Sequence, residues 1–372
     1  MIKTVIISAV NLVEGGAFTI LLDCLKCLSN STLINDFRFV VLVNSICRMP
    51  KYEGVEYLEF PKAKKHYIYR LYYEFFKFKK VSQLYRPVLW LSLHDMSPRV
   101  EADTQAVYMH NPTPFYKPKW HDWKYVPINA IWAYLYKYLY RINIHSNAYL
   151  IVQQDWLRKE FSEMFSFPKD RIIVSKPSSP TINVLSSDAS HLRETESFVF
   201  FYPAYPRVFK NFDVICEAAE ILEKEKVGEI RIVLTIDGTE NGYSKNLVAR
   251  YSHNSLIDFK GLVPQSEMNS YYADTDCLIF PSRLETWGLP LSEFKVFDRP
   301  MLVADLPYAH ESVAGALKVC FFDPDSANDL ANAMKAIAKG KSSLFKPVKE
   351  QSIGKPFSTS WEELFDILLK TR

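Results

Sequence analysis

The run Pro281-Ser282-Arg283-Leu284-Glu285-Thr286-Trp287-Gly288-Leu289-Pro290-Leu291-Ser292-Glu293 decides how the chain is read. It follows an apolar strand over residues 276–280 and leads into a helix that ends before Pro300. A strand, a turn containing Gly288 and a helix start leave several backbone N–H groups unpaired. Free amides and the helix dipole both favour negative charge there. Glu285 and Glu293 bracket seven residues of this anion cradle. Carboxylates repel phosphate, so these two suit hydroxyls, accepting hydrogen bonds as from a sugar or a ribose. Phosphate on amides and hydroxyls on acids together describe a sugar nucleotide.

A second segment agrees. In Tyr205-Pro206-Arg207-Val208-Phe209-Lys210-Asn211, two cations follow directly on the strand at residues 198–202. Ligands of open α/β sheets collect at the carboxyl ends of strands, so Arg207 and Lys210 stand where a diphosphate would lie. Arginine offers phosphate a planar fork and lysine a compact point charge. Asp274 and Asp276 spell D-x-D, a spacing that can hold a metal beside a diphosphate, but they fall at a helix-to-strand junction. The cation pair already supplies the charge a metal would bring, so no metal and no cofactor are expected.

The first half offers shorter signals. Gly15 and Gly16 follow the first strand and precede the first helix, permitting close backbone approach; a simple tight turn explains them as well. His110 is expected to end a strand at residues 106–110, before the loop Asn111-Pro112-Thr113-Pro114. A histidine there suits a ligand cleft, with structural hydrogen bonding as the alternative. His94-Asp95, at another strand end, either shapes the same region or buttresses its loop.

Composition sets the frame. At 372 residues the chain suits two domains, and 48% apolar content supplies two cores. A net charge of +3 argues against a nucleic-acid partner, which calls for a clustered basic excess. No run approaches the ~18 apolar residues of a membrane span. Polar Asn11 and Glu14 follow the first strand too soon for a signal peptide. Cys24 and Cys27 have a C-x-x-C spacing but fall inside an amphipathic helix with no second ligand pair, so buried reduced thiols are expected.

Strands and helices alternate throughout, the mark of parallel α/β sheets. Strands are predicted at 5–10, 37–43, 88–93, 106–110, 148–152, 198–202, 230–235, 277–280 and 301–303. Helices are predicted at 17–28, 129–140, 212–223, 266–272, 326–338 and 361–369. Between the halves, Ser175-Lys176-Pro177-Ser178-Ser179-Pro180 opens a linker. Two aromatic-basic segments, 62–80 and 116–140, fit either an interfacial surface with cations and rings at headgroup level or core helices with solvated lysines.

The run 281–293 resembles the E-x7-E signature of retaining glycosyltransferases with the GT-B fold, especially those grouped as family 4. Their usual form is P-S-x-x-E-x-F/W-G-x-x-x-x-E, and this chain keeps every anchor. Arg207 to Asn211 resembles the R-x-x-K-N form of that family's donor-diphosphate site. Gly15-Gly16 resembles its loop facing the donor, and His110-Asn111-Pro112 an H-N/Q-P segment whose histidine touches donor sugar or acceptor.

The resemblance implies an α/β GT-B fold of two Rossmann-like domains facing a central cleft. It implies an acceptor domain at 1–176, a linker at 177–196, a donor domain at 197–355, and a C-terminal helix at 356–372 crossing back to the first. It implies a metal-independent retaining enzyme that moves a hexose or deoxyhexose from a nucleotide-diphosphate sugar to an oligosaccharide or polyprenyl-diphosphate-linked glycan. The setting would be bacterial O-antigen, capsule or lipopolysaccharide assembly, in the cytoplasm at the inner-membrane surface. His110, Arg207, Lys210 and Glu285 would carry catalysis. The donor would meet Gly15, Gly16, Arg207, Lys210, Glu285, Thr286, Trp287, Gly288, Leu289 and Glu293. The acceptor would meet His94, Asp95, His110 and Asn111. A sugar-nucleotide epimerase of the same fold, and an inactive scaffold of a polysaccharide complex, are the alternatives.

Overall fold

The computed structural model of the chain describes residues 2–177, 192 and 197–370. All of the expected linker except Pro177 and Leu192 lies outside them. The described residues form two compact units: one from 2–115, 133–177 and 353–370, the other from 116–132, 192 and 197–352.

The first unit is built on a parallel sheet. Its strands are β1 (Lys3–Ser8), β2 (Phe37–Val43), β3 (Val55–Glu59), β4 (Leu89–Ser92), β5 (Thr104–Tyr108), β6 (Tyr149–Val152) and β7 (Ile172–Ser175). The second unit carries β8 (Phe198–Tyr202), β9 (Ile230–Leu234), β10 (Ile257–Phe259), β11 (Cys277–Phe280), β12 (Met301–Ala304) and β13 (Val319–Phe322). A last short strand, β14 (Phe357–Ser358), returns to pair with β7 in the first sheet. The first order is β14-β7-β6-β5-β4-β1-β2-β3 and the second β10-β9-β8-β11-β12-β13.

Side chains alternate across a strand, and here both faces are covered, so the strands read as continuous apolar runs. Val5 and Ile7 face one cluster with Leu21, Leu25, Phe39 and Val41. Ile6, between them, faces another with Val40, Phe78 and Trp90. In the second unit, Ser326 opens the helix Ala327–Ala338 by accepting the N–H of Asp329, as its capping spacing predicts.

The helix Trp361–Leu369 belongs to the first unit. Trp361, Leu364, Phe365 and Leu368 recur at the spacing of one helical face and join the Val5–Phe39 cluster. The Phe365 ring meets Phe39 edge-on at 6.1 Å. Among the described residues, no helix is long and apolar enough to cross a membrane.

Phe365→Ala is expected to cost about 3–5 kcal/mol, because a buried ring is removed from a face that cannot collapse around the gap. Denaturant unfolding measures it. A loss under about 1 kcal/mol would mean that this helix is not docked in solution.

Candidate functional site

Each sheet order contains one reversal. In the second unit, β8, β9 and β10 run outward one way and β11, β12 and β13 the other, so the chain switches direction between neighbours β8 and β11. Connections leaving two such strands diverge and open a crevice at their carboxyl ends. Lys210 follows β8 and Glu285 follows β11. The two close an ion pair, Lys210 Nζ to Glu285 Oε1, with side chains only 19% and 13% exposed.

Local chemistry fixes both partners. Tyr202 donates its hydroxyl to the Lys210 carbonyl at 2.8 Å. Asn211 takes a left-handed conformation, φ 61°, that an asparagine tolerates, and starts the helix Phe212–Lys224. Its buried amide donates to the carbonyls of Pro281 (3.1 Å) and Pro324 (2.8 Å), tying the lysine loop to the acidic run. Arg283 N–H donates to Phe209 O at 2.8 Å, and Tyr308 donates to Ser282 O at 2.6 Å. Arg207 is exposed, its guanidinium 6.0 Å from the Phe209 ring. One cation is thus paired and one is open to solvent.

The turn itself is held from its flanks. Trp287 Nε1 donates to Ser292 Oγ at 2.7 Å, and Ser312 donates to the Trp287 carbonyl. Gly288 caps the helix Leu289–Lys295 at φ 78°. The backbone N–H groups of Thr286, Trp287, Gly288 and Leu289 donate to no group among the described residues. Glu293 is buried, and Tyr272 donates to its Oε2 at 2.7 Å. Burial raises the Glu293 carboxyl above its ordinary value, with the bonds from Tyr272 and Gln265 opposing.

In the first unit the reversal lies between β1 and β4. Gly15, at φ 73°, starts the helix Gly15–Asn30 just after β1, and an added Cβ on Gly15 or Gly16 meets nothing within 4 Å. His94 follows β4, is 1% exposed, and sets Nε2 2.9 Å from Ser8 Oγ. Asp95 sits at φ 66° and accepts the N–H groups of His110 (2.5 Å) and Asn111 (2.9 Å) through Oδ1. The Asp95 side chain therefore supports the loop, the buttressing alternative of the sequence reading, while the His94 ring meets Ser8. Burial lifts the Asp95 carboxyl to about 6, against those two bonds and Arg70.

His110 stands two residues beyond β5 instead of ending it, because its N–H turns to Asp95. Its ring stacks on Tyr108 at 4.4 Å, and its Nε2 has no hydrogen-bond partner among the described residues. Burial lowers its titration to about 4, so it is neutral at neutral pH. Asn111 donates to Tyr140 Oη at 2.9 Å.

Asp274 and Asp276 lie before β11, at the end of the strand opposite Glu285. They accept the N–H groups of Leu192 (3.0 Å) and Val199 (2.9 Å). The C-x-x-C pair lies on the helix Gly15–Asn30, Cys24 buried and Cys27 half-buried. Burial raises both thiols, Cys27 to about 12, so neither is a thiolate at neutral pH. Sequence reasoning did not single out Arg70, Glu74, Tyr140 or Tyr272 as site residues. All four are polar groups inside apolar or aromatic stretches, a signal that could have flagged them.

Residues 185–351 match the sequence model of the family described as glycosyl transferases group 1. The O-antigen chain mannosyltransferase B of Escherichia coli is 24% identical over 198 residues, 51% of each chain. The match thus spans about half the length of that relative. Solved structures are similar over nearly the whole chain. WaaG, a glycosyltransferase involved in lipopolysaccharide biosynthesis, has a TM-score of 0.63 at 12% identity, covering 99% of this chain and 95% of its own. Anabaena HepE in complex with UDP-glucose has a TM-score of 0.61 at 14% identity, covering 92% of each. A glycosyltransferase from Rickettsia africae has a TM-score of 0.63 at 13% identity, covering 93% and 94%. The fold is GT-B.

Gly288→Ala is expected to destabilise the protein by about 1–2 kcal/mol, the cost of a left-handed conformation with a Cβ. The added atom would also press Leu291 Cδ1 at 3.3 Å. Denaturant melts check the cost, and an unchanged midpoint would mean that the turn relaxes to negative φ.

Proposed function

We propose that the chain is a retaining, metal-independent glycosyltransferase of bacterial surface-polysaccharide assembly, of the O-antigen or lipopolysaccharide kind. It transfers a hexose or deoxyhexose from a nucleotide-diphosphate sugar to a glycan hydroxyl. The observation that carries this reading is the Lys210–Glu285 pair at a sheet reversal, inside the residues that match the glycosyl transferases group 1 family.

Departure of the nucleoside diphosphate puts negative charge on its outer phosphate. Lys210 and Arg207 stabilise that charge, and fixed cations act most strongly where water is scarce. Glu285 releases Lys210 to the phosphate and accepts hydrogen bonds from the sugar hydroxyls. The free amides of Thr286 to Leu289 hold phosphate and sugar oxygens. Tyr272 holds Glu293 in place for the ribose diol. His110 and Asn111 receive the acceptor, supported by His94 and Asp95. Retention follows when the acceptor hydroxyl attacks on the face the phosphate leaves, the departing phosphate oxygen taking its proton.

The acceptor is a lipid-linked glycan reached at a membrane surface. Ile68, Tyr72 and Phe76 recur every four residues on one exposed helical face, with Tyr69 beside them. Lys62, Lys65, Lys77 and Lys80 are exposed nearby. Rings anchor at headgroup level and lysines meet anionic lipid.

Lys210→Ala is expected to lower kcat by roughly 10²–10³-fold, the effect of removing one preorganised charge-stabilising group. Arg207→Ala is expected to act in the same direction, and EDTA to leave turnover unchanged. Near-wild-type kcat in both variants would remove the diphosphate site; loss with EDTA and recovery with magnesium or manganese would remove metal independence. Sedimentation with anionic liposomes tests the surface. Changing Lys62, Lys65, Lys77 and Lys80 to Gln should release the protein at low salt, each lysine contributing ~1 kcal/mol near such a surface. Wild type that stays in the supernatant would exclude a membrane-held acceptor and leave the transfer reaction standing.

A further inference from the structure

The helical stretches Tyr67–Tyr72, Tyr73–Lys77 and Phe78–Tyr85 run on without a break, and the middle one is a π-turn that carries Glu74. Single π-turns interrupt regular helices frequently at functional sites. Glu74 is fully buried, and neither carboxylate oxygen has a hydrogen-bond partner among the described residues. Its Oε1 lies 3.4 Å from His94 Nδ1 and 4.0 Å from Arg70 Nε. His94 Nδ1 has no hydrogen-bond partner either, while Nε2 meets Ser8. Arg70 donates from Nη2 to the His94 carbonyl at 2.7 Å.

Two buried groups thus stand side by side, each lacking what one proton would supply. An ionised carboxylate or an imidazolium is costly to bury without strong partners. A carboxylic acid donating to a neutral imidazole satisfies both. Desolvation pushes the Glu74 carboxyl up to about 8, against the pull of Arg70, and holds His94 well below its ordinary value. The other titratable groups facing the cluster are Arg70 and Tyr67 on the same helix and Asp95 beyond β4. His110 beyond β5, and Tyr136 and Tyr140 on the helix Pro127–Arg141, face it as well.

We propose that Glu74 is a positioning residue: a buried carboxylic acid that donates to His94 Nδ1 and, with Arg70, fixes the turn from which Asp95 holds the His110–Asn111 loop. His94 then carries its own proton on Nε2 and donates to Ser8. The helix with the exposed aromatic face is thereby joined to the loop that receives the acceptor. This inference rests on reading the first unit as the acceptor side, but the state of Glu74 is measurable without turnover.

A carboxyl whose folded titration is raised contributes stability that is full below its ordinary value and lost as pH rises through about 8. Glu74→Gln keeps a donor for Nδ1 and cannot ionise. Its Tm is expected to match wild type near pH 5 and exceed it by about 3 °C or more at pH 9. Imidazole ¹⁵N spectra, with His94 assigned by its loss in His94→Gln, should show the proton on Nε2 in wild type and Glu74→Gln. In turnover, Glu74→Gln should keep wild-type kcat at pH 7 and lose the alkaline decline, while Glu74→Leu, of similar volume without a donor, should fall at every pH. Parallel Tm profiles for wild type and Glu74→Gln, or a proton on Nδ1 of His94, would overturn the proposal. Those two readings stand even for a protein that transfers no sugar, so failure here is distinct from failure of the transferase reading.

Discussion

A lysine whose side chain is four-fifths shielded from water needs an anion beside it, and the second unit supplies one. That anion is Glu285. Removing one partner of a buried pair strands the other charge, which is far more costly than the pair is favourable. Much of the neighbouring structure serves this constraint. β8 and β11 must be adjacent, Asn211 must bind the Pro281 carbonyl, and Gly288 must turn at positive φ so that the run bends back into its helix. Under the proposed function, a phosphate that takes over Lys210 would free the carboxylate for a sugar hydroxyl.

The first unit solves a similar problem with different groups. Its reversal lies between β1 and β4, and Ser8 and His94 bridge the two strands there by a hydrogen bond instead of an ion pair. Asp95 then gives one carboxylate oxygen to two successive backbone N–H groups, which fixes His110 and Asn111 without using their side chains. His110 is left with an Nε2 that has no partner among the described residues and a ring kept neutral by its surroundings. A neutral imidazole can donate to or accept from a hydroxyl; a charged one could only donate.

Much of this was legible in the sequence. The strands at 198–202 and 277–280 are apolar runs set between a polar residue (Ser197, Asp276) and a proline (Pro203, Pro281), and both form where that pattern predicts. The E-x7-E run, its glycine and the two cations gave the elements around the second reversal. Which strands neighbour one another was not legible, because Lys210 and Glu285 are 75 residues apart and only the sheet order unites them. The strands Ile257–Phe259 and Val319–Phe322 are too short to show a period. Val55–Glu59 alternates with charged residues at an edge, where a half-exposed strand resembles a loop. Glu74 was hidden inside an aromatic-basic stretch that suggested a surface, and its burial follows from a π-turn no local pattern announces.

The proposed competition between Glu285 and phosphate for Lys210 is tested most directly by equilibrium binding of UDP and GDP, without any sugar, to Glu285→Gln and Lys210→Met. With the internal anion neutralised, the diphosphate no longer has to displace it. Glu285→Gln is therefore expected to bind the preferred nucleotide more tightly than wild type, and Lys210→Met more weakly. Equal weakening in both variants would contradict the exchange and leave the pair a structural bridge.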